Sequence, residues 1–127
     1  MCVSLVSASH TDFKPPQNFI TNYDIPDNGI SDYYSFGDYN LDIDPYDYSY
    51  EYYFNSPEIV ISPVDGYKDV YTYHDNDLGY VGIMEVVEKG GTKYIVDFYI
   101  DSTTSNMKAE YCADFLKEFN QKNGISN

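Results

Sequence analysis

The chain has 127 residues and a formal net charge of −14, and its seven basic residues are all lysines. This length corresponds to one domain, and the acidic balance excludes nucleic-acid phosphates and anionic membranes as direct partners, because both require a basic surface. No apolar run reaches the roughly 18 to 20 residues of a membrane-spanning helix, so we expect no membrane span.

The first nine residues are mostly apolar or small, and Val6-Ser7-Ala8 matches the small-x-small site at which signal peptides are cut. We interpret residues 1–9 as the remnant of a secretory leader, with a short apolar strand as the alternative. The leader predicts a secreted or cell-surface protein, and its absence would favour the cytoplasm. Residues 10–20 follow as an extended edge segment, because Pro15 and Pro16 are incompatible with a helix there.

Residues 21–56 are acidic and rich in tyrosine. Between Lys14 and Lys68 the sequence has ten acids, ten tyrosines and no basic side chain, whereas residues 68–127 have ten acids against six lysines. Turn residues interrupt the stretch, but its many aromatic rings oppose complete disorder. We expect an insertion or a partly ordered surface, with one strand near residues 48–54, where aromatic side chains alternate with period two.

Residues 57–125 are patterned as a folded core. A β-branched run at 58–62 and alternation over 67–74 predict two strands. A hairpin over residues 80–100 turns at Gly90-Gly91, which places Glu88 opposite Lys93 as a cross-strand ion pair.

A C-terminal helix is predicted over residues 105–122, with N-cap candidates at 102–106. Its apolar side chains recur at helical spacing and should lie on the sheet; they are Met107, Tyr111, Cys112, Phe115, Leu116 and Phe119. The predicted fold class is therefore α+β: a small antiparallel meander of four to five strands packed by one C-terminal α-helix.

Several stretches resemble a known family: Phe13-Lys14-Pro15-Pro16-x-x-Phe19, Gly79 to Glu88, Gly91-x-Lys93 to Val96, and Phe115 to Asn123. They look like the small uncharacterised secreted proteins of methanogenic archaea, over residues 1–20 and about 52–125. The element order is also similar to the PsbP/Mog1-like fold. This resemblance implies export and a fold, and it implies no catalytic residue.

The hairpin register places Glu85 on the same sheet face as Val81, Ile83 and Val87. A carboxylate on an apolar face has a raised pKa unless it is paired, so Glu85 is a candidate buried carboxylate. We expect it to lie at the sheet margin or to reach a lysine.

Asp42, Asp44 and Asp47, with Glu51 nearby, are candidate ligands for Ca²⁺, because this ion prefers clustered oxygen ligands. Their spacing is not that of an EF-hand, and a solvated acidic loop is the favoured interpretation. A weak calcium site is the alternative, and we expect no other cofactor. His74 to Asp77 is interpreted as a turn rather than a metal site.

Cys112 is expected to be a small buried side chain of the helix rather than a nucleophile with His74 as its base. The sequence contains no phosphate-binding glycine loop and no zinc-ligand spacing. We therefore expect no enzymatic activity.

The acidic tyrosine stretch predicts an interaction surface, because tyrosine gives rigid contact area and carboxylates attract a cationic protein or surface. The alternative function is an inhibitor that mimics nucleic-acid phosphates, of the anti-nuclease or anti-CRISPR type. The predicted binding surface consists of Tyr33, Tyr34, Asp38, Tyr39, Asp42, Asp44, Tyr46, Asp47, Tyr48, Tyr50, Glu51, Tyr52 and Tyr53.

Overall fold

The computed structural model describes residues 9–101 and 109–127, except for the side chains of residues 109–111. Residues 1–8 of the predicted leader remnant, the N-cap candidates at 102–106, Met107 and the Tyr111 side chain lie outside this part of the chain. The described elements, in chain order, are β1 (Ile20–Thr21), β2 (Asp32–Phe36), β3 (Tyr39–Pro45), α1 (Tyr48–Asn55), β4 (Ile59–Pro63), β5 (Val70–Asp75), β6 (Tyr80–Lys89), β7 (Thr92–Asp101) and α2 (Ala109–Asn123).

In the described part of the chain, the strands form one antiparallel sheet of seven strands, in the order β1-β2-β3-β7-β6-β5-β4. The α+β class with a C-terminal helix on the sheet is confirmed, but the predicted number of four to five strands is wrong. Two meanders, β1-β2-β3 and β4-β5-β6-β7, meet where β3 pairs with β7. The acidic stretch supplies β2 and β3. Gly37-Asp38 makes the two-residue hairpin turn between them.

The central hairpin has the register that the sequence predicts. β6 and β7 pair Glu88 with Lys93 and Glu85 with Val96 around the Gly90-Gly91 turn. Both glycines have positive φ, 59° and 80°, as a two-residue turn of this kind requires.

The strand predicted near residues 48–54 is instead the helix α1. Asp47 is its N-cap, and the Asp47 carboxylate accepts a hydrogen bond from the Ser49 amide at 2.8 Å. Aromatic residues at this position fit both periods, since Tyr46, Tyr50 and Tyr53 are also spaced at i, i+4 and i+7. The N-cap residue Asp47 favours the helical period over the strand period.

One face of the sheet, which we call the α2 face, forms the hydrophobic core with helix α2. The core contains Leu41 and Ile43 of β3, fully buried alongside Phe98, Leu116 and Phe119. Cys112 is buried here too, as the sequence predicts. Neither α1 nor α2, the two helices that the structure describes, has the length and hydropathy of a membrane span.

The extended segment before β1 closes this core from the side. The rings of Phe13 and Phe119 lie 5.6 Å apart, and those of Phe19 and Phe115 lie 5.0 Å apart. The Asn123 side-chain amide donates to the Lys14 carbonyl oxygen and accepts from the Lys14 amide, both at 2.8 Å. Segment 10–20 is therefore attached to α2 as well as to the sheet.

Candidate functional site

The opposite side of the sheet, which we call the α1 face, is acidic and aromatic. Its centre is a pair of aspartates, because Asp42 of β3 lies directly opposite Asp97 of β7 in the ladder. Like charges in directly opposed positions repel each other, so this pair opposes the strand pairing that contains it. A costly arrangement of this kind at one point of a sheet makes it a candidate site.

Tyrosine hydroxyls hold both carboxylates. Tyr99 donates to Asp42 Oδ2 at 3.0 Å, and Tyr73 donates to Asp97 Oδ1 at 2.7 Å. Asp42 Oδ1 is buried and has no hydrogen-bond partner among the described residues. One carboxylate oxygen at the centre of the site therefore lacks a donor.

Burial and mutual repulsion shift the protonation of this pair. Burial, together with the charge of Asp44, raises the pKa of Asp42 to about 7. Burial and the charge of Asp42 raise the pKa of Asp97 well above its ordinary value. Burial also raises the pKa of Tyr73 and of Tyr99, so both hydroxyls stay protonated and donate. The pair consequently keeps a proton to higher pH than an ordinary carboxyl group does.

Helix α1 is fixed over this face at its N-terminal end by Asp44. The Asp44 carboxylate accepts from the Tyr50 hydroxyl at 2.7 Å and from the Tyr33 hydroxyl at 3.3 Å. The Tyr46 amide donates to the Lys93 carbonyl oxygen at 2.8 Å, and the rings of Tyr46 and Tyr50 stack at 6.0 Å.

The C-terminal end of α1 is fixed by Asp75, which is buried at the end of β5. The Tyr53 hydroxyl donates to Asp75 Oδ2 at 3.0 Å. Asp75 Oδ1 accepts from the amides of Asp77 and Leu78, both at 2.9 Å, and so also holds the β5–β6 turn. Helix α1 is therefore tied to the sheet by tyrosine–aspartate bonds at both ends.

Between α1 and the sheet lies a cavity of about 360 Å³, which we call the α1 cleft. No basic side chain is among the described residues that line it. Its five tyrosines and two aspartates are Tyr50, Tyr53, Tyr73, Tyr80, Tyr99, Asp42 and Asp97. The ring pairs Tyr80–Tyr99 and Tyr53–Tyr73 meet edge to face, at 5.1 Å and 6.3 Å. The cleft thus combines aromatic walls with a carboxylate pair.

The predicted binding surface is divided among three places. Tyr34 and Tyr39 pack against the core on the α2 face. A second group belongs to the α1 face, and it consists of Tyr33, Asp42, Asp44, Tyr46, Tyr50 and Tyr53. The exposed members are Asp38, Asp47, Tyr48, Glu51 and Tyr52. Only the last group forms a displayed surface.

The candidate calcium ligands lie on different structures. Asp42 and Asp44 accept tyrosine hydroxyls on the α1 face, while Asp47 caps helix α1 in solvent. Within residues 9–101 and 109–127, no three His, Cys, Asp or Glu side chains are grouped as metal ligands.

Glu85 is fully buried on the α2 face, so the expectation of a marginal or lysine-paired carboxylate is wrong. Its Oε1 accepts from the side-chain amides of Asn120 at 3.0 Å and Asn127 at 2.8 Å. Burial raises the pKa of Glu85, although these two hydrogen bonds act in the opposite direction. Helix α2 and the segment after it supply the partners, which no pattern in the strand itself could identify.

Sequence reasoning missed Asp97, Tyr73, Tyr80 and Tyr99 as site residues. The hairpin register already places Asp97 and Tyr99 on the face away from the core. The sequence did not predict strand β3, and only the pairing of β3 with β7 brings Asp42 opposite Asp97.

No protein-family model matches the chain, and neither curated proteins nor solved structures include a significant match to it.

Proposed function

We propose that the protein is a non-enzymatic binding protein that holds a cationic partner against the outer face of α1. The exposure of Tyr48 and Tyr52 carries this proposal, since each side chain is 81% exposed on a short helix whose other tyrosines contact the sheet. The two residues lie one helical turn apart, so their rings project from the same side. Large aromatic side chains exposed together are typical of binding sites.

The acidic residues around these tyrosines favour a positively charged partner. Asp47 and Glu51 are exposed beside them, and residues 15–67 contain ten acids and no basic side chain. Such a field accelerates the approach of a cationic partner. Tyrosine faces then attract an ammonium or guanidinium group, with roughly 0.5 to 1 kcal/mol from each exposed contact.

The experiment is calorimetric titration with a pentalysine peptide at low ionic strength. We expect the double variant Tyr48→Ser/Tyr52→Ser to bind roughly 5- to 30-fold more weakly, which corresponds to about 1 to 2 kcal/mol. Tyr23→Ser is the matched control, because Tyr23 is 78% exposed and lies before β2. Equal affinities for the double variant and the control would refute the proposal.

Mimicry of nucleic-acid phosphates remains the alternative function, and it requires displayed carboxylates. Asp42, Asp44 and Asp75 instead accept tyrosine hydroxyls, which favours the cationic partner. Secretion or display on the cell surface stays a prediction of the sequence, as does its cytoplasmic alternative.

A further inference from the structure

The α1 cleft has the properties of a ligand site that the exposed face of α1 does not have. Its volume, about 360 Å³, lies in the usual range of small-ligand pockets. Tyrosine rings form its walls, and such rings attract cations through their faces. The outer face of α1 can hold a partner, whereas the cleft can enclose a single group of it.

The polar end of the cleft lacks one hydrogen-bond donor. Asp42 and Asp97 lie opposite each other, and each accepts a tyrosine hydroxyl on one oxygen. The remaining oxygen of Asp42, Oδ1, is buried without a partner. A buried acceptor without a donor is costly; among the described residues of the empty cleft only the proton of the aspartate pair can serve Asp42 Oδ1, and an ammonium N–H can replace that proton.

We propose that the α1 cleft binds a primary alkylammonium group, with its charge placed at the Asp42–Asp97 pair and its alkyl part between the tyrosine rings. The proposal rests on the proposed function and names the group that the cationic partner inserts. The lysine side chain of a partner and a free small amine share this chemistry.

The carboxylate oxygens of the cleft favour a primary ammonium group over other cations. Calcium takes six to eight oxygen ligands, and within the described chain no third acidic, histidine or cysteine side chain joins this pair as a metal ligand. A quaternary ammonium has no N–H for Asp42 Oδ1. A guanidinium group prefers both oxygens of one carboxylate, but Tyr99 already occupies Asp42 Oδ2 and Tyr73 occupies Asp97 Oδ1.

Binding of the ammonium group displaces a proton. The empty pair keeps a proton to higher pH than an ordinary carboxyl group does, and a cation beside it favours the ionised carboxylates, so binding releases that proton to solvent. The groups that face Asp42 are Asp44 on its own strand, Tyr33 on β2, Asp97 and Tyr99 on β7, and Tyr50 on α1. None of these is basic, so none of them takes over the role of the ammonium group.

The test is calorimetric titration with n-butylammonium at pH 7.5, in two buffers of different ionisation enthalpy. We expect binding with net proton release, and at least a tenfold loss of affinity in Asp42→Asn and in Asp97→Asn. Asp24→Asn is the control, because it removes the same charge from an exposed position outside the cleft. We expect this variant to bind within twofold of the unchanged protein.

Circular dichroism and the chemical shifts of the Tyr80 and Tyr99 rings accompany each titration. They show whether a variant is folded and whether the amine reaches the cleft. Absence of n-butylammonium binding to the unchanged protein, or equal binding by all three variants, would overturn the site. Tighter binding of tetramethylammonium than of n-butylammonium would overturn the choice of a primary ammonium group.

The two proposals can fail separately. Pentalysine binding that depends on Tyr48 and Tyr52, without any n-butylammonium binding, would remove the cleft and keep the outer face. Butylammonium binding without pentalysine binding would keep the cleft and remove the outer face. N-acetyl-lysine N-methylamide distinguishes a partner's lysine side chain from a free small amine as the ligand. If the ligand is a lysine side chain, this compound should bind at least as tightly as n-butylammonium.

Discussion

Asn120 donates its side-chain amide to Glu85 Oε1 at 3.0 Å, yet the other oxygen of each group, Glu85 Oε2 and Asn120 Oδ1, is buried without a partner. Both of these atoms are acceptors, so a carboxylate at this position leaves two acceptors unsatisfied. A protonated Glu85 supplies the missing donor, and its raised pKa agrees with that state. We infer that this buried position favours the protonated form of Glu85.

The substitution Glu85→Gln tests this state, because glutamine has a permanent N–H donor and no charge. A group whose folded pKa is raised contributes stability below its unfolded pKa, about 4.3, and loses that contribution as pH rises through the folded pKa. We expect the free energy of unfolding of the unchanged protein to fall as the pH rises from 4, and that of Glu85→Gln to fall less. At high pH the variant should be more stable by about 1 to 3 kcal/mol.

Urea unfolding of Glu85→Gln between about pH 4 and pH 9 provides the measurement. Glu88→Gln is its control, because Glu88 is exposed on the same strand. A pH slope for Glu85→Gln equal to that of the unchanged protein would show that residue 85 is ionised in the folded state.

Asp42→Asn is expected to stabilise the protein above pH 7. Burial and the charge of Asp44 raise the pKa of Asp42 to about 7, so the folded state loses stability as the pH rises from the unfolded pKa, about 3.9, through the folded one. Asparagine keeps the acceptor for Tyr99 and removes the charge. We expect the gain in unfolding free energy of the variant to be roughly 1 to 3 kcal/mol larger at pH 8 than at pH 5.

Guanidinium unfolding at the two pH values measures the effect of Asp42→Asn. Asp38→Asn is the control from the exposed β2–β3 turn. A gain as large at pH 5 as at pH 8 would mean that the variant acts through packing rather than through charge.

Asp32→Ala is expected to release the segment before β1. The Asp32 carboxylate accepts from the His10 amide at 2.9 Å, the Thr11 amide at 3.0 Å and the Ser9 hydroxyl at 2.8 Å. Burial raises the pKa of Asp32, but these bonds and one from the Thr11 hydroxyl outweigh it, so the pKa lies below its ordinary value. This contribution to stability is therefore complete above about pH 4 and is lost as the pH falls through the folded pKa.

We expect Asp32→Ala to cost roughly 2 to 4 kcal/mol at pH 7, since several charge-assisted hydrogen bonds are lost together. Hydrogen exchange at the His10 and Thr11 amides measures the local release, with Asp38→Ala as the exposed control. Unchanged protection of these two amides in Asp32→Ala would contradict the prediction.

Gly82→Ala is expected to be among the most damaging single-methyl additions to the sheet. A Cβ at this position would overlap the Phe98 carbonyl oxygen and lie 2.8 Å from the Tyr99 Cβ. These atoms belong to the central strand, so relief requires a backbone shift that costs roughly 1 to 3 kcal/mol or more.

Thermal unfolding compares Gly82→Ala with Gly37→Ala. The second variant has open space around its Cβ but a φ of 57°, so it costs about 1 kcal/mol through backbone conformation alone. A smaller loss for Gly82→Ala than for Gly37→Ala would show that β6 and β7 separate easily at this point.

Removal of residues 24–54 is expected to unfold the remaining chain. The shortened chain lacks β2, β3 and α1, including Leu41 and Ile43, which are fully buried in the core. Loss of two such side chains alone costs roughly 4 kcal/mol or more, which is a large share of the stability of a small domain. Circular dichroism and amide dispersion in NMR spectra give the answer, and a folded remainder would mean that residues 57–125 are an independent core.

The sequence predicts the central hairpin well, because the two-residue turn Gly90-Gly91 fixes its register locally. It predicts β3 poorly, because Leu41 and Ile43 are its only large aliphatic side chains, and the rest are Tyr39, Asn40, Asp42, Asp44 and Pro45. Asn40 and Asp42 pair with Tyr99 and Asp97, and that pairing depends on the distant strand β7. The sequence therefore identified the residue types of the candidate site but not how they are arranged in space.

Aromatic periodicity misled the prediction for residues 48–54 for a different reason. Tyrosine at nearly every second position satisfies a strand pattern and a helix pattern together, so hydrophobic period alone does not separate them. The deciding signal was Asp47, an N-cap residue placed directly before the run.

The strand order also protects the sheet against association through its own backbone. The longest strands, β6 and β7, are paired on both sides, while the outermost positions belong to β1, with two residues, and β4, with five. Strand β4 ends at Pro63, which has no amide hydrogen to offer a neighbouring chain. An aromatic sheet with long unpaired outer strands would be prone to intermolecular β-pairing, and this arrangement leaves only short segments available for it.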